Sequence, residues 1–281
     1  AFEAAARTEA IGGKILDSLT RPYSLAQQEY YSSSSIGATL FNGHEQAVDE
    51  LLKQADIAMY QAKTSGRNAM HFFDVQMQAR INARVRMEAD LRLALSEIQF
   101  KLYYQPQVCH DNRILGAEAL IRWQHPQQGL VPPGDFIPVA EETGLIIPMG
   151  LWILETACAQ IKAWEGNALY SHLQVAVNVS ARQFRQADFV DQVCRILGRT
   201  GINPDRLKLE LTESLLLDDI GDCIRKMNTL REAGVFFSMD DFGTGHSSLS
   251  YLTQLPLDQL EIDKSFIHNI VTFVIQVRNW F

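Results

Sequence analysis

The sequence has no cysteine pair at CxxC spacing, no HxxxH or HExxH arrangement among its seven histidines, and no surplus of basic residues. The first absence leaves Cys109, Cys158, Cys194 and Cys223 far apart in apolar runs. Buried, reduced thiols of a cytoplasmic protein are expected there. The second absence excludes the usual zinc site. The third, a net charge of -8, removes the electrostatic footprint of a protein that binds nucleic-acid polymers. An anionic substrate would then need a local cation to offset the acids around it. A long hydrophobic run is also missing. The stretch 267–281 is interrupted by His268, Asn269, Gln276 and Arg278, too short and too polar to span a bilayer. Residues 1–16 read as an amphipathic helix with scattered charges, not as a signal peptide.

What is present is a chain of 281 residues, 47% of them hydrophobic. That is room for two ordinary domains, or for a barrel plus a smaller piece. Helices are expected at 4–19 and 46–64, the second with Val48, Leu51, Leu52, Ala55, Ala58 and Met59 on one broad face. Strands are expected at 29–41 and 72–73. From Asp74 to Glu97 there is neither Gly nor Pro. Met77, Ile81 and Val85, then Leu91 and Leu95, give that stretch an apolar stripe, and it reads as a linker helix carrying the domain boundary. Beyond it, strand candidates at 100–109, 116–123, 173–179, 207–211, 235–239 and 260–263 alternate with helix candidates at 151–164, 187–199 and 219–233. Alternation of this kind predicts a parallel sheet, and a repeat of about thirty residues suits a (β/α) barrel.

Chemistry should gather where such strands end. Asp240 and Asp241 leave the apolar run Val235, Phe236, Phe237 and enter a loop spaced by Gly243 and Gly245. Oxygen ligands at a strand mouth suit a hard divalent cation, although Asp and Gly also serve simply to end a strand in a turn. Parity argues for more. Glu210 falls opposite Leu207, Leu209 and Leu211, and Asn178 falls opposite Val175 and Val177. Glu118, Asn178, Glu210 and Asp240 at strand ends are hard to bury without a shared partner, which favours a common cation over separate caps. Arg122 shares the parity of Glu118 and can reach the same mouth, where a guanidinium grips phosphate through two hydrogen bonds.

The order Tyr104-Gln105-Pro106, Glu118-Ala119-Leu120-Ile121-Arg122-Trp123, Asn178-Val179-Ser180, Glu210-Leu211-Thr212-Glu213 and Asp240-Asp241-Phe242-Gly243-Thr244-Gly245 resembles EAL domains, the cyclic di-GMP phosphodiesterases. The stretch before residue 75 resembles the second half of a GGDEF (diguanylate cyclase) domain. Ser34-Ser35-Ile36-Gly37 and the run from Ala55 to Asn68 carry that likeness, and the Gly-Gly-Asp-Glu-Phe signature is nowhere in the chain. The division implied is a partial GGDEF domain at 1–74, a linker helix at 75–96 and a C-terminally truncated EAL domain at 97–281. Lys63 and Arg67 match nucleotide-phosphate contacts of the first family and serve equally as cations at a helix C-terminus.

For the EAL part the resemblance implies a TIM-like (β/α) barrel and a two-metal hydrolase using Mg²⁺ or Mn²⁺ to convert cyclic di-GMP to linear pGpG. By position, Glu118, Asn178, Glu210, Asp240 and Asp241 would hold metal, and Asp240 and Asp241 would be catalytic. Leu120 and Arg122 would bind substrate. Glu213 would anchor the Asp-Phe-Gly-Thr-Gly loop, or else cap the following helix. The resemblance allows a homodimer through the EAL domain, no nucleic-acid polymer as partner, a cytoplasmic location and a parent anchored to the membrane upstream.

The sequence departs from the family at two places. A lysine usually precedes Ile-Asp in the strand after the Asp-Asp loop, where it orients or activates the attacking water. Here Glu261 holds that position, and Lys264 has the opposite parity. The Ala-Glu-Gly-Val-Glu and Gln-Gly motifs that follow this strand in the family do not occur after Asp263. These departures predict impaired turnover and an incomplete barrel with exposed edges, partly plugged by Trp280 and Phe281 and prone to aggregation. A regulatory module that binds cyclic di-GMP without hydrolysing it, and a non-functional truncation, stand as the alternatives.

Overall fold

The computed structural model describes residues 2–25, 28–41, 46–109, 111, 113–212, 215, 219–242 and 254–262. Its contacts divide the chain into residues 1–86 and 87–281.

In the first unit, α1 (Phe2–Leu19) is followed by an antiparallel hairpin of β1 (Tyr23–Leu25) and β2 (Gln28–Tyr30). Then β3 (Ser35–Ala38), α2 (Val48–Thr64) and β4 (Ala69–Phe72) make a crossover that pairs β3 and β4 in parallel. The single strand expected at 29–41 is therefore broken, and the Ser32-Ser33-Ser34 run, rich in turn-forming side chains, falls at the break. Helix α2 lies directly on β3. A Cβ added at Gly37 would run into the α2 backbone at Ala55 and Met59, so this position excludes any side chain. The buried stripe of α2 is narrower than its sequence suggests: Ala58 and Ala62 are fully buried, but Val48 and Leu52 are exposed. Helix α3 (Val75–Ser96) carries the division between the units. Leu91 and Ala94 in its second half are buried in the core of the second unit.

The second unit contains β5 (Phe100–Val108), β6 (Ile114–His125), β7 (Gly129–Val131), α4 (Pro133–Thr143), α5 (Ile146–Glu165) and β8 (Gln174–Val179). It continues through α6 (Ala181–Phe184), α7 (Phe189–Thr200), β9 (Leu207–Thr212), α8 (Ile220–Glu232), β10 (Phe236–Phe242) and β11 (Gln259–Ile262). The sheet runs β11-β10-β9-β8-β6-β5, with β7 added on β6. From β6 to β11 the path is parallel, as the alternation predicts. The first pair is not: β5 and β6 are antiparallel, from Phe100 opposite Trp123 to Val108 opposite Ile114. The link between them is too short for a parallel crossover, which needs about a dozen residues or more.

Apolar residues of the strands' outer face, including Val175, Val177, Leu207, Leu209, Leu211 and Phe237, pack under the helices. The inner face carries the polar residues of the same strands. The sheet curls strongly enough for Gln107 of β5 to hydrogen-bond Glu210 and Lys208 of β9, although β6 and β8 lie between them in the ladder. This curl is the barrel geometry, in which all inner-face side chains converge.

Lys226 of α8 is a buried brace. Its ammonium donates to Phe184 O at 3.0 Å and Gln186 O at 2.9 Å, and pairs with Asp222 at 3.0 Å. Lys226→Met should cost about 1–3 kcal/mol, because two carbonyls lose their donor; the shift in urea midpoint at constant m-value measures it.

The cysteines depart from expectation. Cys158 and Cys223 are buried, but Cys109 is half-buried and Cys194 is exposed on α7. Local apolar composition misled there, because the wet face of an amphipathic helix interleaves with its buried one. Burial pushes the Cys158 thiol up to about 12, so it stays protonated and unreactive at pH 8. A thiol reagent at that pH should label Cys194 at once and Cys158 only after denaturation, as mass spectrometry of digested protein would show. Among the described residues no helix is long and apolar enough to cross a membrane.

Candidate active site

The strand register builds the site as a staircase. Glu118 of β6 lies opposite Ala176 of β8, with Asn178 the next inward-facing position along that strand. Asn178 lies opposite Glu210 of β9, and Glu210 lies opposite Ser238 of β10, one inward position below Asp240. Glu261 follows Gln259, the partner of Ser238, on β11. The sheet therefore brings Glu118, Asn178, Glu210, Asp240 and Glu261 to one face of neighbouring strands. Asp241 is described only as backbone of β10, and Glu213, Asp263 and Lys264 lie outside the described residues.

Asn178 Nδ2 donates to Glu118 Oε1 at 2.7 Å. Burial raises the Glu118 pKa, with the charges of Glu210 and Asp240 adding to the rise and the Asn178 hydrogen bond and Lys208 opposing it. Glu261 is raised in the same way, first by burial and then by Glu210, with Lys208 opposing. These carboxylates feel one another, which is the electrostatic condition of a cation site.

In kind, the donor set fits a hard, oxygen-preferring cation. Ser238 Oγ is fully buried at the Glu210 level and has no hydrogen-bond partner among the described residues. A buried hydroxyl left this way calls for a partner beyond the described side chains. Among the described residues, however, no three His, Cys, Asp or Glu side chains form a group that could hold a metal ion. Glu210 is instead engaged by a lysine.

Beside the staircase lies a mostly apolar cavity of about 290 Å³, lined among others by Leu120, Arg122, Ile137, Ile153, Asn178 and Thr212. Leu120 and Arg122 thus open on the same mouth as Asn178. The Arg122 guanidinium sits 5.7 Å from the Tyr103 ring centre and donates from Nη1 to Ile121 O at 2.9 Å. Gly150 forms part of the wall; a Cβ there would run into the Gln183 side chain.

The motif order of the sequence coincides with a spatial cluster, and a family profile described as the EAL domain matches residues 88–275. The chain belongs to the EAL family. Ahead of it, a profile described as the GGDEF domain of diguanylate cyclases matches residues 2–69. The chain is 43% identical over 258 residues to the bifunctional diguanylate cyclase/cyclic di-GMP phosphodiesterase MucR of Pseudomonas aeruginosa, covering 92% of this chain and 38% of that protein. It is 35% identical over 262 residues to the cyclic di-GMP phosphodiesterase PdeR of Escherichia coli, covering 93% of this chain and 39% of that one. A solved MucR phosphodiesterase structure, a cyclic di-GMP complex, superposes with a TM-score of 0.62 at 44% identity over 66% of this chain and 75% of its own. The chain thus spans less than half the length of these curated relatives.

Two functional candidates in this EAL unit escape a reading by motif. Lys208 is one inward position below Glu210 and is 3% exposed. Its ammonium stands 3.1 Å from Glu210 Oε1 and 3.7 Å from Glu261 Oε1. It also donates to Gln107 Oε1 at 3.2 Å and to Gln259 Oε1 at 3.0 Å. Gln107 in turn donates to Glu210 at 3.4 Å. The alternation in Leu207-Lys208-Leu209-Glu210 places Lys208 and Glu210 on one face, and this was the signal available. Gln107 has no such signal, since its partners lie about a hundred residues away in sequence.

Proposed function

We propose that the EAL unit is a metal-dependent phosphodiesterase that linearises cyclic di-GMP to pGpG, with turnover lowered by Glu261. The supporting observation is the staircase of Glu118, Asn178, Glu210 and Asp240 on neighbouring strands, of which Asn178 also lines the cavity that holds Leu120 and Arg122. These four residues, with Asp241, would hold Mg²⁺ or Mn²⁺ in a two-metal site. The bound cations would neutralise the phosphate and activate a water for in-line attack.

The chain's own residues have distinct tasks. Asn178 orients the Glu118 carboxylate through its 2.7 Å hydrogen bond. Arg122 is held against Tyr103 and Ile121 O, so its planar fork is ready for a phosphate oxygen pair. Leu120 gives the mouth an apolar wall. Glu213 would anchor the loop that follows Asp241. Helix α3 is the linker between the GGDEF-like residues 1–74 and the EAL residues 97–281, with its second half built into the EAL core. We place the unit in the cytoplasm, where this nucleotide substrate would meet it.

Glu261 supports a second reading, a module that binds cyclic di-GMP without turnover, because an acid at this position adds charge that repels a phosphate. The experiment is one assay with purified protein, Mg²⁺ or Mn²⁺ and cyclic di-GMP, following both bound ligand and linear product. Slow product formation is expected. Product at the rate of relatives with lysine at this position would refute the impairment, binding without product would favour the module, and neither would sink both readings.

A further inference from the structure

The inner face of this sheet presents Glu118, Glu210, Asp240 and Glu261 within one mouth, and a dianionic nucleotide must enter it. Carboxylates alone would repel such a ligand and one another. The structure places a positive charge at the floor of that mouth. Lys208 is buried, and a buried ammonium survives only where partners compensate its lost hydration. Its partners here are Glu210 and Glu261, together with the side-chain oxygens of Gln107 and Gln259. Gln259 also donates to Glu261 Oε1 at 3.1 Å. The ammonium is thus fixed from β5, β9 and β11 at once, a rigidity that a merely solvated lysine would not have. Glu261 is tied into the same network.

We propose that Lys208 is the cationic positioning residue of this site, supplying from β9 the positive charge that the Glu261 position on β11 lacks. This rests on the phosphodiesterase reading above. Lys208 holds the Glu210 and Glu261 carboxylates in place and offsets their charge. It thereby keeps Glu261 from acting as a further ligand and lowers the repulsion met by the phosphate. A structural lysine would be replaceable by any side chain that restores packing. A positioning cation would be replaceable only by another cation, including one on β11.

The test uses the full chain as wild type, Lys208→Met, Lys208→Arg, Glu261→Lys and the double variant Lys208→Met/Glu261→Lys. Three quantities are read: Mn²⁺ affinity by calorimetry without substrate, and kcat and KM for cyclic di-GMP. Lys208→Met should bind Mn²⁺ about tenfold more tightly, since Glu210 loses a competing cation. Its kcat should nevertheless fall about 10–100-fold, the range for loss of an outer partner of a metal site. Lys208→Arg should keep most of the rate. The double variant should regain it, because the cation returns from β11. Unchanged kcat in Lys208→Met overturns the proposal, and so does a fall in kcat without tighter Mn²⁺ binding, which a packing defect would give. If the wild type neither binds nor cleaves cyclic di-GMP, the phosphodiesterase reading fails by itself. The Mn²⁺ titration then decides on Lys208, tightening supporting its role and no change overturning it.

Discussion

Asp240→Asn should lower cyclic di-GMP hydrolysis by more than about a hundredfold, beyond the 10–100-fold that outer partners of a metal site are worth, while leaving the protein as stable as before or slightly more so. The two effects have one cause. Asp240 lies half-buried at the top of the staircase, and its charge raises the pKa of both Glu118 and Glu261. Removing that charge relieves repulsion in the metal-free protein, and asparagine keeps the shape and an accepting oxygen. A neutral amide is nevertheless a poor substitute for an anionic ligand of a hard divalent cation. The activity assay and a thermal melt, the latter in chelator, separate the two terms. A rate within tenfold of wild type would remove Asp240 from the site, and a large fall in melting temperature would make it structural instead.

The staircase was legible in the sequence because it needs only period-two parity and strand ends. Glu118, Asn178, Glu210 and Asp240 each stand out from an apolar strand, and parallel neighbours place equivalent parities on one face. The helices from Leu151, Ala187 and Asp219 were legible for the same reason at a period of 3.6, with boundaries that differ by a few residues. Helix α4 was not. It opens with Pro133-Gly134 and contains Pro138, and such residues read as a turn unless Pro is recognised as a favourable first helical residue. The antiparallel β5–β6 pair was missed because strand periodicity carries no direction. The Lys208 network was missed for a deeper reason. Apart from Glu210, its partners come from β5 and β11, and only the curl of the sheet brings them to β9.

That curl also sets the stability expectation for Glu210, the residue on which the floor of the site depends. Glu210 is 2% exposed and Lys208 3%, so neither charge has water to fall back on. Glu210→Leu should destabilise the EAL unit by about 3–5 kcal/mol, the usual cost of stripping one partner from a buried ion pair. The lower end is expected here, because Glu261 remains 3.7 Å from the ammonium, with Gln107 and Gln259 still accepting. Glu210→Gln should cost less, since its amide oxygen still accepts from Lys208. The double variant Glu210→Leu/Lys208→Met should recover much of the loss, because an ion pair replaced as a whole by apolar side chains is often neutral or stabilising. Urea midpoints for the wild type, Glu210→Leu, Lys208→Met and the double variant give the coupling directly. If the double variant were as unstable as the two single variants added together, the close Glu210–Lys208 pair would contribute nothing, and the floor of the site would have to be held by packing alone.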